Sequence, residues 1–441
     1  MVKTPLHKRY PRLLKRDFSR YFVIFVLICI SISIGCGMLV AGGSLMSAYN
    51  ESFNQYNVED GYFETTNRQK SMSDAVKKQC NVYENFYHDQ TVKKKTIRFF
   101  VNRTHIDKVC FMSGRLPKGD NEIALDRMFA SNNSIKVGST LWNTYKVVGL
   151  VALSDYSSLF QKNSDSMFNA INFGVGIMSQ SSFNTHFASS KIVYRYSYRF
   201  KKTIKDDTMR AKYCDQLLKQ LNKDDVDLSA YVPRYQNQAI SFTGNDFGSD
   251  TVDTQIFIYV LIAIIALISA ITIRETIEHE SSTIGTLRAL GYSRKEMMKH
   301  YLTLPMLVTF IAALFGNVLG YTVIKDYCVS LYYGSNSLPT YHTKWNMYAF
   351  MTTTIIPLIL MYMIHMLVLK RELKRSPLSL IRKEEKKKRK KHVHLSHQMP
   401  FLQRFSLRLI LQNKGGLNNS FSWYSLYEFL RHAWVNDATY S

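Results

Sequence analysis

Residues that could carry out catalysis are scarce in this chain of 441 residues. His279 and Glu280 begin like an H-E-x-x-H helix, in which two histidines one turn apart bind zinc and the glutamate is the general base. The second histidine is missing, because position 283 is Thr283. The sequence also has no G-x-S-x-G nucleophile turn and no G-x-x-x-x-G-K-[ST] phosphate loop. We therefore predict no enzymatic activity, no metal and no cofactor, and expect another subunit to bind any ATP that is used.

The most informative stretch covers residues 274–300 and is polar, although long apolar segments flank it. A charge near the membrane centre costs on the order of a few kcal/mol, so this stretch must lie against a membrane surface. Gly291 follows Leu290 where a left-handed helix cap would stand. Ser293 and Glu296 form the pattern of a capping box that begins a new helix. We predict two helices meeting at a corner, a place where a soluble partner could bind.

Four segments without charged residues are long and apolar enough to cross a membrane, at residues 21–49, 254–273, 301–324 and 345–369. At 1.5 Å per helical residue, each is long enough to cross roughly 30 Å of hydrocarbon. The first follows basic residues, as a signal peptide does, but its uncharged run is too long for one and ends at a poor cleavage site. We predict an α-helical polytopic membrane protein with four transmembrane helices.

Basic residues indicate the orientation of these helices. They are concentrated in residues 1–20, 274–300 and 370–441. Because cytoplasmic loops carry an excess of lysine and arginine, we predict that these three parts and both chain ends are cytoplasmic. Residues 50–253 and the loop 325–344 then lie outside a bacterial-type plasma membrane.

The formal net charge of +24 and the pI of about 9.6 follow largely from this topology. The richest run, residues 386–391, comes shortly after the fourth apolar segment. There each cation contributes on the order of 1 kcal/mol by lying near anionic headgroups. We predict contact with membrane lipid and no binding of nucleic acid. The mean hydropathy of −0.15 averages the spans with a large soluble part.

Residues 50–253 predict an α+β domain between the first two membrane helices. Three segments rich in β-branched and aromatic residues predict strands, at residues 96–101, 145–151 and 192–200. Two segments predict helices, at residues 121–132 and 208–222. In the first, Glu122 is expected to start the helix as a structural residue. In the second, Leu217, Leu218 and Leu221 are expected on one side.

The polar stretch resembles the coupling segment of the FtsX-like permease family, in which a soluble ABC ATPase docks between the second and third membrane helices. The resemblance implies that eleven residues couple to the ATPase: Ile284, Gly285, Thr286, Leu287, Arg288, Ala289, Leu290, Gly291, Ser293, Arg294 and Glu296. By itself, the same stretch also fits an amphipathic helix that anchors the protein to lipid headgroups. The four apolar segments around it favour the coupling segment.

Four segments of the predicted α+β domain are similar in order and spacing to the extracytoplasmic core domain of the MacB-type branch of that family. They are residues 114–117, 121–126, 135–140 and 145–151. We interpret them as scaffold without direct chemistry. The resemblance implies a permease subunit that couples ATP hydrolysis by a cytoplasmic ABC ATPase to movement of its extracytoplasmic domain. It also implies export or extraction of amphiphiles such as antimicrobial peptides or lipids. The alternative is a non-transporting protein that regulates an extracellular partner, such as a cell-wall hydrolase, mechanically.

The four apolar segments contain no lysine, arginine, aspartate or glutamate, and their only histidine is His365. Ion-driven carriers usually keep such groups in the membrane as relays, so we expect His365 at the interface or against a neighbouring helix. Gly316 and Gly320 form a GxxxG pattern, which indicates close helix packing. Packing within one chain is the default expectation, with a homodimer as the alternative.

The carboxyl end predicts the start of a second module. Residues 400–408 echo residues 11–20, which lead directly into the first membrane segment, whereas residues 417–441 are too polar to span. Long members of the family resemble two such units in tandem. We therefore expect a truncated or frame-shifted permease whose second module is missing, with a genuine soluble tail as the alternative.

Overall fold

The computed structural model describes residues 8–202, 204 and 206–382. The first seven residues of the predicted leader and the tail from residue 383, with the expected start of a second module, lie outside the described residues. The chain divides into two compact units. The first contains the membrane helices and the α+β domain, and the second contains Glu280–Gly291 and the described residues from Arg375 onward.

Helices account for the four predicted spans. Within the described residues the helices are α1 (Tyr10–Arg16), α2 (Phe18–Gln55), α3 (Asp74–Gln79), α4 (Arg127–Asn132), α5 (Gln180–Phe187), α6 (Asp207–Lys223), α7 (Gln238–His279), α8 (Ser281–Ala289), α9 (Arg294–Leu319), α10 (Lys325–Ser335), α11 (Met347–Phe350), α12 (Ile356–Glu372) and α13 (Pro377–Ile381). A π-helical turn, Gly320–Ile324, joins α9 to α10, and another, Met351–Ile355, joins α11 to α12.

Four continuous helices are long and apolar enough to cross a membrane, which confirms the predicted fold class. They are α2, α7, the run Arg294–Ser335 and the run Met347–Glu372. Each continues past the carboxyl end of the apolar segment that predicted it, because helical hydrogen bonding continues into the polar residues that follow. Helix α2 is the central one and packs against both α7 and α9, while α12 packs against the same two helices.

Helix α9 and the π-helical turn after it pack tightly against α2 at the two glycines of the GxxxG pattern. A Cβ atom at Gly316 would lie 2.8 Å from Ile32 Cγ2 and 2.9 Å from the Cys29 carbonyl oxygen. At Gly320 it would lie 2.7 Å from Cys36 Cβ. These glycines therefore set the distance between two helices of the same chain.

The strands of the α+β domain form two sheets. They are β1 (Gly61–Thr65), β2 (Cys80–Glu84), β3 (Tyr87–Val92), β4 (Lys95–Val101), β5 (Val109–Gly114), β6 (Glu122–Asp126), β7 (Thr140–Leu141), β8 (Tyr145–Leu153), β9 (Phe173–Met178), β10 (Tyr194–Phe200) and β11 (Leu228–Pro233). The smaller sheet has the order β11-β1-β10-β2, and the larger has the order β3-β4-β9-β6-β8-β5 with β7 beside β8.

Each sheet has its own hydrophobic core. In the smaller sheet Phe63 and Tyr198 pack against Leu217 and Leu221 of α6, whereas Leu218 is half-buried. The larger sheet is covered by α4 and α5, and Phe129 and Phe187 belong to its core. The predicted strands 96–101, 145–151 and 192–200 correspond to β4, β8 and β10, and the helix predicted at 208–222 corresponds to α6.

The helix predicted at residues 121–132 is wrong in its first half. Residues Glu122–Asp126 form β6, a central strand between β9 and β8, and the helix begins only at Arg127. Glu122 therefore does not start a helix. It forms an ion pair with Arg115 and accepts hydrogen bonds from the amides of Lys118 and Gly119. A short apolar run between two sheet neighbours is buried on both faces, a pattern that periodicity cannot distinguish from a helix.

Candidate functional site: the coupling segment and the joint

Helix α8 forms the first half of the predicted corner. It ends with the amides of Leu290 and Gly291 bonded to the carbonyls of Thr286 and Arg288, at 2.9 and 3.2 Å. Gly291 has a φ of +100°, the left-handed conformation that glycine adopts without steric cost. The chain therefore turns sharply at the residue that the sequence indicated.

The partner of α8 is the short helix α13, which the sequence patterns did not predict. Ser376 caps α13 by accepting a hydrogen bond from the amide of Ser379 at 3.2 Å, and Pro377 occupies the first turn. Serine followed by proline is a recognisable helix start. The signal was overlooked because the charged sequence after the fourth span predicted only a basic tail.

Within the second unit, α8 and α13 pack backbone to backbone at Gly285. A Cβ atom at Gly285 would lie 2.6 Å from Ile381 Cγ1 and 2.9 Å from the Pro377 carbonyl oxygen. Arg288 Nη1 donates a hydrogen bond to the carbonyl oxygen of Arg375 at 2.5 Å. Three of the predicted coupling residues, including the fully buried Ile284, thus belong to the inner face of α8.

The opposite face of α8 is exposed. Thr286 and Ala289 lie on it, and the Leu290 side chain at its end is 73% exposed. A single exposed leucine is ordinary, but this one stands at the end of a helix whose other face packs against α13. The predicted coupling residues are therefore of two kinds, three that pack inside the unit and three that project from it. Leu287 is half-buried between the two faces.

The second half of the corner belongs to the first unit and begins α9. Ser293 Oγ accepts a hydrogen bond from the Glu296 amide at 3.3 Å, and Glu296 Oε2 accepts one from the Ser293 amide at 2.8 Å, completing the capping box. The bond from the Ser293 amide lowers the pKa of Glu296. Arg294 is exposed in the first turn of α9. These side chains fix where the helix starts.

Comparison with known families identifies this part of the chain. Residues 255–378, from within α7 to the start of α13, match the family FtsX-like permease C-terminal. They form an FtsX-like permease domain. This match agrees with the resemblance of the polar stretch, and the four long apolar helices are those of a multi-pass membrane protein. No curated protein matches the chain.

The permease domain is joined to the α+β domain by a buried polar contact. The loop after α10 inserts into the α+β domain, where Asn336 and Ser337 are almost fully buried. Asn336 Oδ1 accepts hydrogen bonds from Ser158 Oγ at 3.0 Å and from Thr243 Oγ1 at 3.1 Å. The Ser337 amide donates to the Ser157 carbonyl at 2.8 Å. Three parts of the chain therefore meet here, namely this loop, the turn after β8 and the start of α7.

The same loop is held from a second side by the start of α4. Arg127 Nη2 donates hydrogen bonds to the carbonyls of Tyr333 and Asn336 at 2.9 and 2.8 Å. Asp126 caps α4 by accepting from the amides of Met128 and Phe129, and it also accepts a hydrogen bond from Ser337 Oγ. Burial raises the pKa of Asp126, although these hydrogen bonds act to lower it. We call these contacts, with those of Asn336, the joint.

A group of buried charges lies just beyond the end of α2, between the two sheets. It contains two ion pairs, Arg195 with Glu59 at 2.7 Å and Arg103 with Asp155 at 2.5 Å. Asp107 is the fifth member and accepts hydrogen bonds from the Glu59 amide at 2.8 Å and from Asn85. Burial, with the charges of Glu59 and Asp155, raises the pKa of Asp107 well above its ordinary value. We call these five residues the charge cluster.

Among the spans of the permease domain, His365 is fully buried against α7. Its Nε2 lies 2.7 Å from Ser269 Oγ. This agrees with the expectation that it contacts a neighbouring helix. His279 and Glu280 belong to no metal-binding group, and the described residues contain no cluster of three or more histidine, cysteine or acidic side chains able to hold a metal.

Proposed function

We propose that this chain is the membrane subunit of an ABC system and that the exposed face of α8 binds a separate cytoplasmic ATPase. The observation that carries the proposal is the division of α8 into two faces within a permease domain. Gly285 and Arg288 attach the helix to α13, which leaves Thr286, Ala289 and Leu290 free to contact a soluble protein.

Motion received at α8 has a continuous route to the α+β domain. Helix α7 runs without interruption from Gln238 to His279, directly before α8 in the chain. Its first turn is tied to the end of α2, because Tyr49 Oη donates a hydrogen bond to the Ile240 carbonyl at 2.7 Å. The joint adds a second connection through α10. We infer that hydrolysis of ATP by the partner moves the α+β domain through these helices.

The proposal places the basic ends and α8 in the cytoplasm and the α+β domain outside the plasma membrane. It also specifies amphiphiles, such as antimicrobial peptides or lipids, as the class of cargo. Apolar side chains on the outer faces of the spans, including Phe315 and Leu367, support contact with an amphiphile at the membrane surface.

Copurification of this chain with a coexpressed ABC ATPase from the same genome tests the proposal. Leu290→Asp changes the exposed face without disturbing the contact with α13, and we expect it to abolish copurification. Val137→Asp is the matched control, since Val137 is an exposed aliphatic residue of the α+β domain. Equal recovery of the ATPase with wild type, Leu290→Asp and Val137→Asp would refute docking on α8.

Arg288→Glu and Glu296→Lys should also reduce copurification, but for another reason. Arg288 holds α13 and Glu296 completes a helix cap, so each change disturbs the segment rather than a direct contact with the ATPase. The two groups of variants can be told apart by limited proteolysis, which should change for Arg288→Glu and not for Leu290→Asp.

A second candidate is mechanical regulation of an extracellular partner without transport. The joint favours it, because Asn336, Ser337 and Arg127 tie the permease domain firmly to the α+β domain. Reconstituted vesicles with the ATPase discriminate the two functions. ATP-dependent loss of a labelled amphiphile from the membrane supports transport, whereas ATP hydrolysis without such loss supports mechanical regulation.

A further inference from the structure

The smaller sheet of the α+β domain ends in a strand, β2, that has a sheet neighbour on one side only, β10. The Asn85 amide donates to the Arg195 carbonyl at 2.8 Å, which fixes the hydrogen-bonded positions of this antiparallel pair. Hydrogen-bonded and non-hydrogen-bonded positions alternate along such a pair. The backbone N–H and C=O groups of Val82 and Glu84 therefore project away from β10, toward the open edge.

Two grooves border this open edge. The first has a volume of about 460 Å³ and lies toward α3, and its lining includes the exposed side chains of Lys70, Lys77 and Lys201. We call it the lysine groove. None of its three lysines forms an ion pair with a residue in the described part of the chain. This groove therefore presents unneutralised positive charge beside the edge strand.

The second groove has a volume of about 660 Å³ and lies toward the larger sheet, with Phe86, Phe183 and Tyr194 in its lining. We call it the aromatic groove. Tyr83 of β2 is stacked on His105 at its wall, with ring centroids 5.9 Å apart. Phe86 and Tyr194 are half-buried and present part of their rings to this groove, beside polar side chains such as Asn102 and Gln180.

We propose that the open edge of β2 binds an extended segment of a partner protein as an additional strand, with acidic side chains on one face and aromatic or apolar side chains on the other. Successive side chains of a strand point to opposite faces. An added strand would therefore direct alternate residues into the lysine groove and into the aromatic groove. Backbone hydrogen bonds supply affinity in this binding mode, and pockets for alternate side chains supply specificity.

Charge decides the kind of strand that fits. Lysines beside a sheet edge discourage pairing with a second copy of the same edge. They attract an acidic strand, so Lys70, Lys77 and Lys201 select a partner of opposite charge. At about 3.3 Å per residue, the five residues of β2 accommodate a segment of about five residues. This proposal concerns a partner of the α+β domain and does not depend on docking of an ATPase at α8.

Fluorescence anisotropy with the purified full-length chain in detergent tests the proposal. The probe is a labelled seven-residue peptide in which glutamates alternate with phenylalanines. The control peptide has the same composition, with all glutamates before all phenylalanines. We expect saturable binding of the alternating peptide and at least about tenfold weaker binding of the control.

Two variants of one residue test strand addition. Val82→Pro removes an N–H group that faces the open edge and leaves the bonds to β10 intact, as proline is tolerated on edge strands. Val82→Thr keeps this N–H and is the matched control. We expect Val82→Pro to weaken binding about tenfold and Val82→Thr to leave it within about twofold. N-methylation of alternate peptide residues gives the same test on the wild-type chain, with no change to its fold.

Lys77→Glu and its neighbour Lys78→Glu test the role of charge. Both lysines are exposed on α3, but only Lys77 lines the groove. Lys77→Glu should weaken binding several-fold and Lys78→Glu should not. Three results would each overturn the proposal: no saturable binding, equal binding of the two peptides, or binding insensitive to N-methylation. The last result would indicate that the grooves hold a small amphiphile rather than a strand.

Discussion

The joint and the α8–α13 pair lie in parts of this protein that use polar residues in opposite ways. In the joint, Asn336, Ser337 and Asp126 are buried and bonded to one another or to their neighbours. In the α8–α13 pair, polar side chains of α8 such as Thr283 and Thr286 are exposed. A buried polar contact permits few geometries, whereas an exposed face leaves its contacts to be made by a partner. The joint therefore preserves one geometry, whereas the contacts of the exposed face of α8 depend on what binds there.

Removal of a charge next to the joint should have the largest effect on stability. In Glu59→Gln, Arg195 keeps its charge but loses its buried partner. Breaking a buried ion pair in this way costs about 3–5 kcal/mol. Thermal unfolding of the purified chain should show a large decrease in Tm. Glu59→Leu combined with Arg195→Met removes both charges and should recover much of the loss, so failure to recover would contradict this explanation.

The pH dependence of stability should identify the proton held by Asp107. An acid whose pKa is raised in the folded state retains its proton there. Its contribution to stability is therefore lost as the pH rises from the ordinary value of about 3.9 through the raised value. Because asparagine does not titrate, this part of the decrease in stability with rising pH should disappear in Asp107→Asn. Tm measured at several pH values should fall less steeply for the variant than for wild type, and identical slopes would refute the assignment.

A change at the contact of α8 with α13 should have an intermediate effect. Gly285→Val places side-chain atoms where Ile381 and the Pro377 carbonyl now lie. Overpacking of this kind costs about 1–3 kcal/mol. The cost should be local, since the two helices form a unit of their own. Limited proteolysis should then show faster cleavage near α13 at an almost unchanged Tm, and Gly285→Ala should be milder. A fall in Tm as large as that of Glu59→Gln would contradict the comparison.

Loss of the capping box should have the smallest effect. Ser293→Ala removes the acceptor of the Glu296 amide, and such a change costs about 1 kcal/mol. Ser293→Asp retains an acceptor at the cap and should remain close to wild type. Hydrogen exchange at the first turn of α9 measures the difference. Equal exchange in the Ala and Asp variants would show that the cap does not hold this corner.

Sequence patterns predicted the parts of the structure that depend on local chemistry. The left-handed Gly291 and the capping box of Ser293 were predicted because each is determined by residues within one turn. The four spans were predicted because hydropathy over about 20 residues is a strong signal. Strand β6 was not, because a buried apolar run fits either a strand or a helix until its neighbours are known.

The parts of the candidate site that the sequence did not predict depend on contacts between distant segments. Arg288 and Arg375 are 87 positions apart, and no pattern in α8 indicated which face α13 would cover. Ser337 and Asp126 are 211 positions apart, and the loop that contains Ser337 was predicted only as a short connection. The sequence therefore indicated where α8 ends and α9 begins but not the division of α8 into an inner and an outer face.

The unbroken helix α7 imposes a thermodynamic relation between its two ends. Its 42 residues extend about 60 Å, and no proline interrupts them. A molecule that binds near Gln238 and stabilises one position of this helix also changes how often the His279 end occupies each of its positions. Linkage makes that influence mutual, so each of two such molecules changes the affinity of the other by the same factor. A partner bound to the α+β domain and a protein bound near α8 would thus report on each other without touching.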